Sequence, residues 1–289
     1  MSDQVLALRD HCPRIVAALA AAGRALVCTD FDGTLVPICE DPDDCVLDGS
    51  MRTTLAALHR PPRLQVAVVS GRRLVDVRRR VGIEGITYAG NHGLEIEGDG
   101  WAFREPNADA CRRLVQTAAE RLQPLIDAIE GARIEHKELT LTVHYRRVRT
   151  KDLPALRAAV GQLSSRVLGP GRLRLHGGKQ VIELRPDVGW GKGQAVEWIG
   201  RRLECRGEHR VFIGDDETDE EAFAACGDGI TIRIGDRGTP TAARYLAATG
   251  ELSAFFMMLR RALDVRDTVR PAEAGHAGRR GDGEACRGI

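Results

Sequence analysis

Lysine is scarce in this chain. There are four (Lys137, Lys151, Lys179, Lys192), and the other 38 of its 42 cations are arginine. Arginine therefore supplies the general surface charge, and each lysine calls for a local reason. Net charge is nearly absent as well: 42 basic residues face 41 acidic ones, a balance of +1. That argues against nucleic-acid or membrane-surface binding, which depends on a basic excess. Aromatics are only 4% of residues, too few for a base-stacking platform. No apolar run approaches the ~18–20 residues of a membrane span. The eight cysteines (12, 28, 39, 45, 111, 205, 226 and 286) include no CxxC pair. The N-terminal MSDQVLALRD is acidic where a secretory signal is basic. Free, mostly buried thiols in a reducing cytoplasm are the expectation.

The chain has 289 residues, 43% of them hydrophobic and 29% charged. A sizeable core can be buried, as one large α/β domain or two smaller ones, and global disorder is excluded. Residues 4–22 read as a helix closed by Gly23, and 24–30 as a buried strand ending in Asp30. A helix over 48–60 stops at Pro61-Pro62, a second buried strand spans 63–70, a helix 73–80 and a third strand 85–90. Buried strands alternating with helices predict a Rossmann-like, doubly wound parallel sheet. Such sheets bind ligands beyond the carboxyl ends of their strands, where Asp30, Ser70 and Asn91 fall.

The pattern changes over 106–186. A long helix (108–129) leads to an alternating hairpin (132–146), a helix (152–165) and two strands (171–176, 180–185). This reads as an inserted α+β domain, with the flanking 1–105 and 187–264 forming one discontinuous α/β domain. Its second part holds a helix (192–203), a strand (209–216), a helix (219–226), a strand (230–234) and a helix (251–264). The Gly-, Arg- and Ala-rich 265–289 is expected to be a disordered tail. There is no internal repeat.

Four clusters carry chemistry. In Asp30-Phe31-Asp32-Gly33-Thr34-Leu35, residues two apart in extended backbone point the same way, so Asp30 and Asp32 can converge. Close carboxylates repel unless a cation or proton intervenes, and a hard cation such as Mg²⁺ suits oxygen ligands. Thr34 can donate to a phosphate oxygen. A turn whose Asp side chains cap loop amides is the plainer alternative. The second cluster is the acidic run Gly214–Glu221. Thr218 with Glu221 reads as a capping box, which leaves Asp215 and Asp216 unexplained at the strand end. Third, Lys192 starts a helix, where the dipole penalises a cation by ~0.3–1 kcal/mol unless it serves an anion. No P-loop fits, because Gly193 rather than Ser or Thr follows it. Fourth, Ser70 in Ser70-Gly71-Arg72 is either a helix N-cap or a phosphate ligand.

DFDGTL, SGR, GKG and GDDETDEEAF stand in the order and spacing of the haloacid dehalogenase superfamily of phosphohydrolases, which the chain resembles over roughly 20–262. GNHGLE (90–95), the position of the inserted α+β block, and the strings E-x-K…VHYR and GGKQVIELRP are similar to the trehalose-6-phosphate phosphatase family. Related sugar-phosphate phosphatases share this cap type.

The resemblance implies a Mg²⁺-dependent phosphatase acting on trehalose 6-phosphate. In it Asp30 is the nucleophile, Asp32 the general acid and base, and Lys192, Thr34 and Ser70 hold the phosphoryl group. Asp30, the Asp32 carbonyl and Asp215 would hold the metal, with Asp216 or Asp219 in support. The inserted domain would read the sugar through Lys179 and Glu183, then Glu135, Lys137, His144 and Arg146. Asn91, His92 and Glu95 would stand at the entrance and Arg72 beside the substrate. In the hairpin, Glu135 and Lys137 share a face, as do Thr142, His144 and Arg146, with Leu141, Val143 and Tyr145 opposite. One polar and one apolar face also describes any solvated sheet. The segments near 105 and 187 are expected to act as hinges. A monomer is expected, with possible association with a trehalose-phosphate synthase. The alternatives are a sucrose-phosphate or glucosyl-phosphoglycerate type of phosphatase, and a catalytically silent sugar-phosphate sensor.

Overall fold

The computed structural model describes residues 5–39, 41–167, 173–178, 180–235 and 241–274. Lys179 lies outside the described residues, as do 275–289 of the expected tail and Cys286.

The first half lays down alternating strands and helices: β1 (Leu6–Ala7), α1 (Leu8–Ala21), β2 (Ala25–Thr29), α2 (Gly49–Leu58), β3 (Leu64–Val69), α3 (Leu74–Val81) and β4 (Thr87–Gly90). An antiparallel hairpin then follows, β5 (Glu95–Gly98) and β6 (Trp101–Arg104). After an excursion over 106–186 come α6 (Lys192–Arg202), β11 (Arg210–Gly214), α7 (Glu217–Ala225), β12 (Ile230–Ile234), β13 (Tyr245–Ala247) and α8 (Glu251–Ala274). These strands form one sheet in the order β1-β13-β12-β11-β2-β3-β4-β5-β6, parallel from β1 to β4. The doubly wound parallel sheet is as expected. β1, β5, β6 and β13 are additional to the strands expected from the sequence.

Why the sheet is buried on both faces follows from β2, whose five residues Ala25-Leu-Val-Cys-Thr29 are all buried. Alternate side chains enter opposite layers. Val27 packs with α1, α2 and α8 through Leu19, Leu55 and Phe256, whereas Leu26 and Cys28 pack with α6 and α7 through Ile199 and Phe223. At about 25 cal/mol per Å² of apolar area, two such faces supply the main driving force for this unit.

The excursion contains α4 (Pro106–Asp127), β7 (Arg133–His136), β8 (Leu141–His144), α5 (Leu153–Val167), β9 (Leu173–Gly178) and β10 (Val181–Pro186). Its strands form a separate sheet, β7-β8-β10-β9, antiparallel throughout. Leu141, Val143 and Leu184 turn their faces onto Val115, Leu122 and Leu156 of α4 and α5. The opposite face carries Glu135, Thr142 and Glu183 side by side in register. The polar and apolar faces are those expected.

Three expectations need correction. The tail does not begin at 265, because α8 continues to Ala274. Asp267 on that last stretch pairs with Arg60 at 2.7 Å, as does Asp264 just before it at 2.5 Å, which ties the stretch's start to the loop after α2. The capping box of α7 is not Thr218/Glu221. The helix starts two residues earlier, with Asp216 as N-cap and Asp219 closing the box. Finally, the cysteines are not all free. Cys39 and Cys45 are disulfide-bonded, because the chain after Leu35 folds back and brings their Cα atoms to 5.8 Å. Cys12, Cys28, Cys111, Cys205 and Cys226 are free and buried, as expected.

Candidate active site

The strand order reverses direction around β2 and β11, which are sequentially remote but adjacent and parallel. The Asp30 amide continues their ladder by donating to Ile213 O at 2.8 Å. Asp30 and Asp215, the first residues beyond these strands, thus emerge at the point where such a sheet opens a crevice. Gly33 lets them approach: its φ is +88°, and a Cβ there would lie 2.2 Å from the Asp215 carboxylate. Thr34 Oγ1 donates to Asp215 Oδ1 at 2.9 Å, so its hydroxyl faces the acid cluster.

Asp219, on the first turn of α7, completes the group. Its Oδ2 accepts from the amides of Asp215 and Asp216, each at 3.0 Å, which fixes the loop. Its Oδ1 accepts from Lys192 Nζ at 2.7 Å, and Lys192 also donates to Asp30 Oδ1 at 2.8 Å. Oxygens of Asp30, Asp215 and Asp219 all lie within 4.8 Å of one another, and all three residues are buried. Burial pushes the Asp30 carboxyl well up; Lys192 opposes this, while Asp219 and Asp215 reinforce it. Burial disfavours the Lys192 ammonium, but Asp219 and Asp30 outweigh it and raise its pKa. Three acids grouped around one ammonium present only hard oxygen donors, and a further cation among them would relieve the burial and acid–acid repulsion that push Asp30 up. That donor set fits a divalent cation such as Mg²⁺.

Lys192 is held in place from behind. Two residues earlier, Trp190 donates Nε1–H to Gly93 O at 2.7 Å and packs on Phe103 with ring centroids 5.0 Å apart.

Asp32 is half-buried at the edge of the cluster, in the bidentate grip of Arg72: Nε to Oδ2 and Nη2 to Oδ1, each at 2.7 Å. Arg72 also donates to Asp76 and to Pro42 O. Ser70 does not cap α3, whose N-cap is Arg73; its buried Oγ accepts from the Arg72 amide at 3.1 Å. Asp216 turns its carboxylate to the Glu217 amide.

A cavity of about 420 Å³ lies between the acid cluster and the polar face of the four-stranded sheet. Asp30, Asp32, Arg72, His92, Lys192, Asp215 and Asp216 line it from one side, and Glu135, Lys137, His144, Arg146 and Glu183 from the other. Glu183 is buried and heavily engaged. It accepts from Lys137 at 3.2 Å, Arg185 at 2.6 and 2.8 Å, Thr142 at 3.2 Å and His92 Nε2 at 2.8 Å. Burial works against its charge, but His92, Lys137 and Arg185 hold the carboxyl well below the usual range. Burial, aided by Arg185, depresses His92 to about 3. The imidazole is therefore neutral at neutral pH, with Nε2–H donating to Glu183 and a buried, unpartnered Nδ1. Its ring covers Gly71, where a Cβ would lie 2.5 Å from it. Glu135 accepts from His144 at 2.8 Å. Burial favours its neutral form, yet His144 and Lys137 keep it below its ordinary value.

Asn91 and Glu95 do not line the cavity. Asn91 is fully buried and joins the two units, accepting from Thr140 and donating to Lys137 O and Glu95. Lys137 adds a bond to Gly71 O at 3.1 Å. Sequence reasoning missed Asp41, Arg133 and Gln180 on the cavity wall. They sit in turns and at a strand start, where only the fold reveals direction.

A family model described as trehalose-phosphatase matches residues 28–238. A trehalose-phosphate phosphatase of Mycolicibacterium paratuberculosis is 40% identical over 231 residues, covering 75% of this chain and 57% of that protein. An uncharacterized glycosyl hydrolase of Mycobacterium tuberculosis is 40% identical over 230 residues, covering 76% of this chain. The chain spans only 17% of that second relative's length. Among solved structures, the C-terminal domain of Candida albicans trehalose-6-phosphate phosphatase superposes with a TM-score of 0.78 at 20% identity. It covers 90% of this chain and 99% of that one, and so supports the fold. No described helix is long and apolar enough to cross a membrane. Motifs, sheet order and matched length agree: the chain belongs to the trehalose-phosphatase family.

Proposed function

We propose that this protein hydrolyses trehalose 6-phosphate to trehalose and phosphate through an aspartyl-phosphate at Asp30. The observation that carries the reading is the convergence of Asp30, Asp215 and Asp219 around Lys192 at the floor of a cavity roofed by polar side chains.

Asp30 attacks phosphorus in line with the sugar oxygen, which leaves as Asp32 delivers a proton to it. Asp32 then takes a proton from the water that hydrolyses the aspartyl-phosphate. Lys192 offsets the repulsion between the carboxylate and the phosphate oxygens. Asp30, the Asp32 carbonyl and Asp215 would hold Mg²⁺, with Asp219 fixing the loop that carries Asp215. When bound, the ion neutralises charge on the transferring phosphoryl group. Thr34 acts through Asp215, and Ser70 through the Arg72 turn. Residues 106–186 act as a cap on the core formed by 1–105 and 187–264. Glu135, Lys137, His144 and Glu183 offer the donors and acceptors a disaccharide requires, and the segments near 105 and 187 bend to admit it.

The test is a panel of sugar phosphates at equal concentration, assayed for phosphate release. Trehalose 6-phosphate is expected to be preferred. A clear preference for sucrose phosphate or glucosyl-phosphoglycerate would overturn the substrate assignment.

A further inference from the structure

Cys39 and Cys45 both line the cavity, and their disulfide closes the loop that follows the DFDGTL segment. That loop is wired to the catalytic acid. Pro42 O accepts at 2.8 Å from Arg72 Nη2, the nitrogen that also holds Asp32 Oδ1. Asp43 O and Cys45 O accept from Arg80 Nη1 at 2.8 and 3.0 Å, and Asp43 Oδ1 from Nη2 at 2.8 Å. Arg80 Nε in turn donates to Asp76 Oδ2, which Arg72 shares. On its other side the loop meets the four-stranded unit, where Arg146 donates to Cys39 O.

A disulfide across so short a loop removes less chain entropy than one closing a long loop, and what it fixes directly is the loop itself. Among the described residues, thiol chemistry is also channelled to this pair. The five described free cysteines are buried, and burial pushes the thiols of Cys12, Cys28, Cys205 and Cys226 up. They offer little thiolate to an oxidant or a disulfide partner. Within the pair, Cys45 is 2% exposed while Cys39 is only half-buried, so an incoming thiolate meets the Cys39 sulfur first.

We propose that Cys39–Cys45 is a reversible redox modification site, reduced by a dithiol, that governs the placement of Asp32 through Arg72 and Arg80. One thiolate of the dithiol attacks Cys39 Sγ. The Cys39–Cys45 bond breaks, and Cys45 leaves as a thiolate and takes up a proton. The second thiolate then attacks the reductant's own sulfur in the mixed disulfide and releases Cys39. The dithiol ends as a disulfide, having supplied two electrons. With the loop opened, the Pro42, Asp43 and Cys45 carbonyls no longer fix the two guanidiniums.

The full chain is compared as oxidised and as reduced with tris(2-carboxyethyl)phosphine. Titration in denaturant is expected to find two fewer thiols in the oxidised protein, and peptide mapping to link Cys39 to Cys45. On the phosphatase reading, on which this arm rests, kcat/KM for trehalose 6-phosphate falls roughly tenfold on reduction and returns on reoxidation. The double variant Cys39→Ser, Cys45→Ser stays at the reduced level and ignores the reductant, with its melting curve confirming a folded protein. Equal thiol counts in both states, or a changed count with unchanged activity, would overturn the proposal, as would a double variant that still responds. If neither state turns over, the phosphatase reading fails by itself. Hydrogen exchange then decides: amide protection around Asp43–Cys45 and of Arg72 must fall on reduction, and unchanged protection rejects the site.

Discussion

Arg72 grips both oxygens of Asp32, with two parallel bonds of 2.7 Å. Two further donors of the guanidinium go to Asp76 and Pro42 O, so its plane is fixed before any substrate arrives. On the proposed mechanism this grip gives Arg72 the task of positioning Asp32, its proton donor, alongside the substrate contact that the family resemblance implies for this cavity-lining residue. Arg72→Lys cannot reproduce the fork. It is expected to lower kcat about 10- to 100-fold with KM little changed. A rise in KM at constant kcat would instead mark Arg72 as a sugar or phosphate ligand.

Lys192 is the cation that the acid cluster requires, and it is almost fully buried. Lys192→Ala leaves Asp30 and Asp219 without their shared donor. Breaking a buried ion pair from one side costs about 3–5 kcal/mol, and losing a preorganised electrostatic donor costs about 10²–10³ in kcat. Urea denaturation and steady-state assays read the two effects separately. Mg²⁺ is expected to raise the variant's melting temperature, since it replaces the missing charge. A variant as stable as the parent and indifferent to Mg²⁺ would contradict the cluster's charge balance.

The His92–Glu183 bond gives a pH signature. His92 is depressed to about 3 in the folded protein from an ordinary 6.5, chiefly by burial. Between these values the unfolded chain binds the proton and the folded one does not, so stability rises with pH across that window. Stability from this group is complete above about pH 6.5 and is lost as pH falls toward 3. Glu183, also depressed, adds a loss of the same sign below its ordinary 4.5. His92→Gln removes the imidazole's share and should flatten the urea-midpoint profile between pH 6.5 and 5. By NMR, the His92 ring is expected to show no titration from pH 8 to 5; a midpoint near 6.5 would contradict its burial.

The parallel sheet was legible because β2 and β3 are short, almost wholly apolar runs, broken only by Gln65, that end in polar residues and alternate with helices, the pattern of a doubly covered sheet. The hairpin β5–β6 left a signal, Asp99-Gly100 between alternating segments, with Gly100 at φ +73°. Two-residue β1 and three-residue β13 are too short to carry a period. At the site, residue types and spacing marked Asp30, Asp215 and Lys192. Direction within the acidic run was less visible: that Asp219 faces Lys192 while Asp216 caps α7 depends on where the helix starts. Asn91 and Glu95 matched the right loop, yet the burial of Asn91 against Thr140 and Lys137 and the pairing of Glu95 with Asn91 and Arg104 are properties of the assembled units. The Cys39–Cys45 pair has no spacing signature, because proximity came from the fold of the loop between them.

In the proposed reaction, acids from two remote stretches of chain hold one divalent ion beside a nucleophilic Asp30. Phosphate release from trehalose 6-phosphate, followed in Mg²⁺ and in EDTA, for the parent chain and for Asp30→Asn, tests it most directly. Release is expected from the parent in Mg²⁺ alone, with EDTA and the substitution each abolishing it while the variant stays folded. Undiminished release in EDTA, or turnover by Asp30→Asn at the parent's rate, would contradict the account.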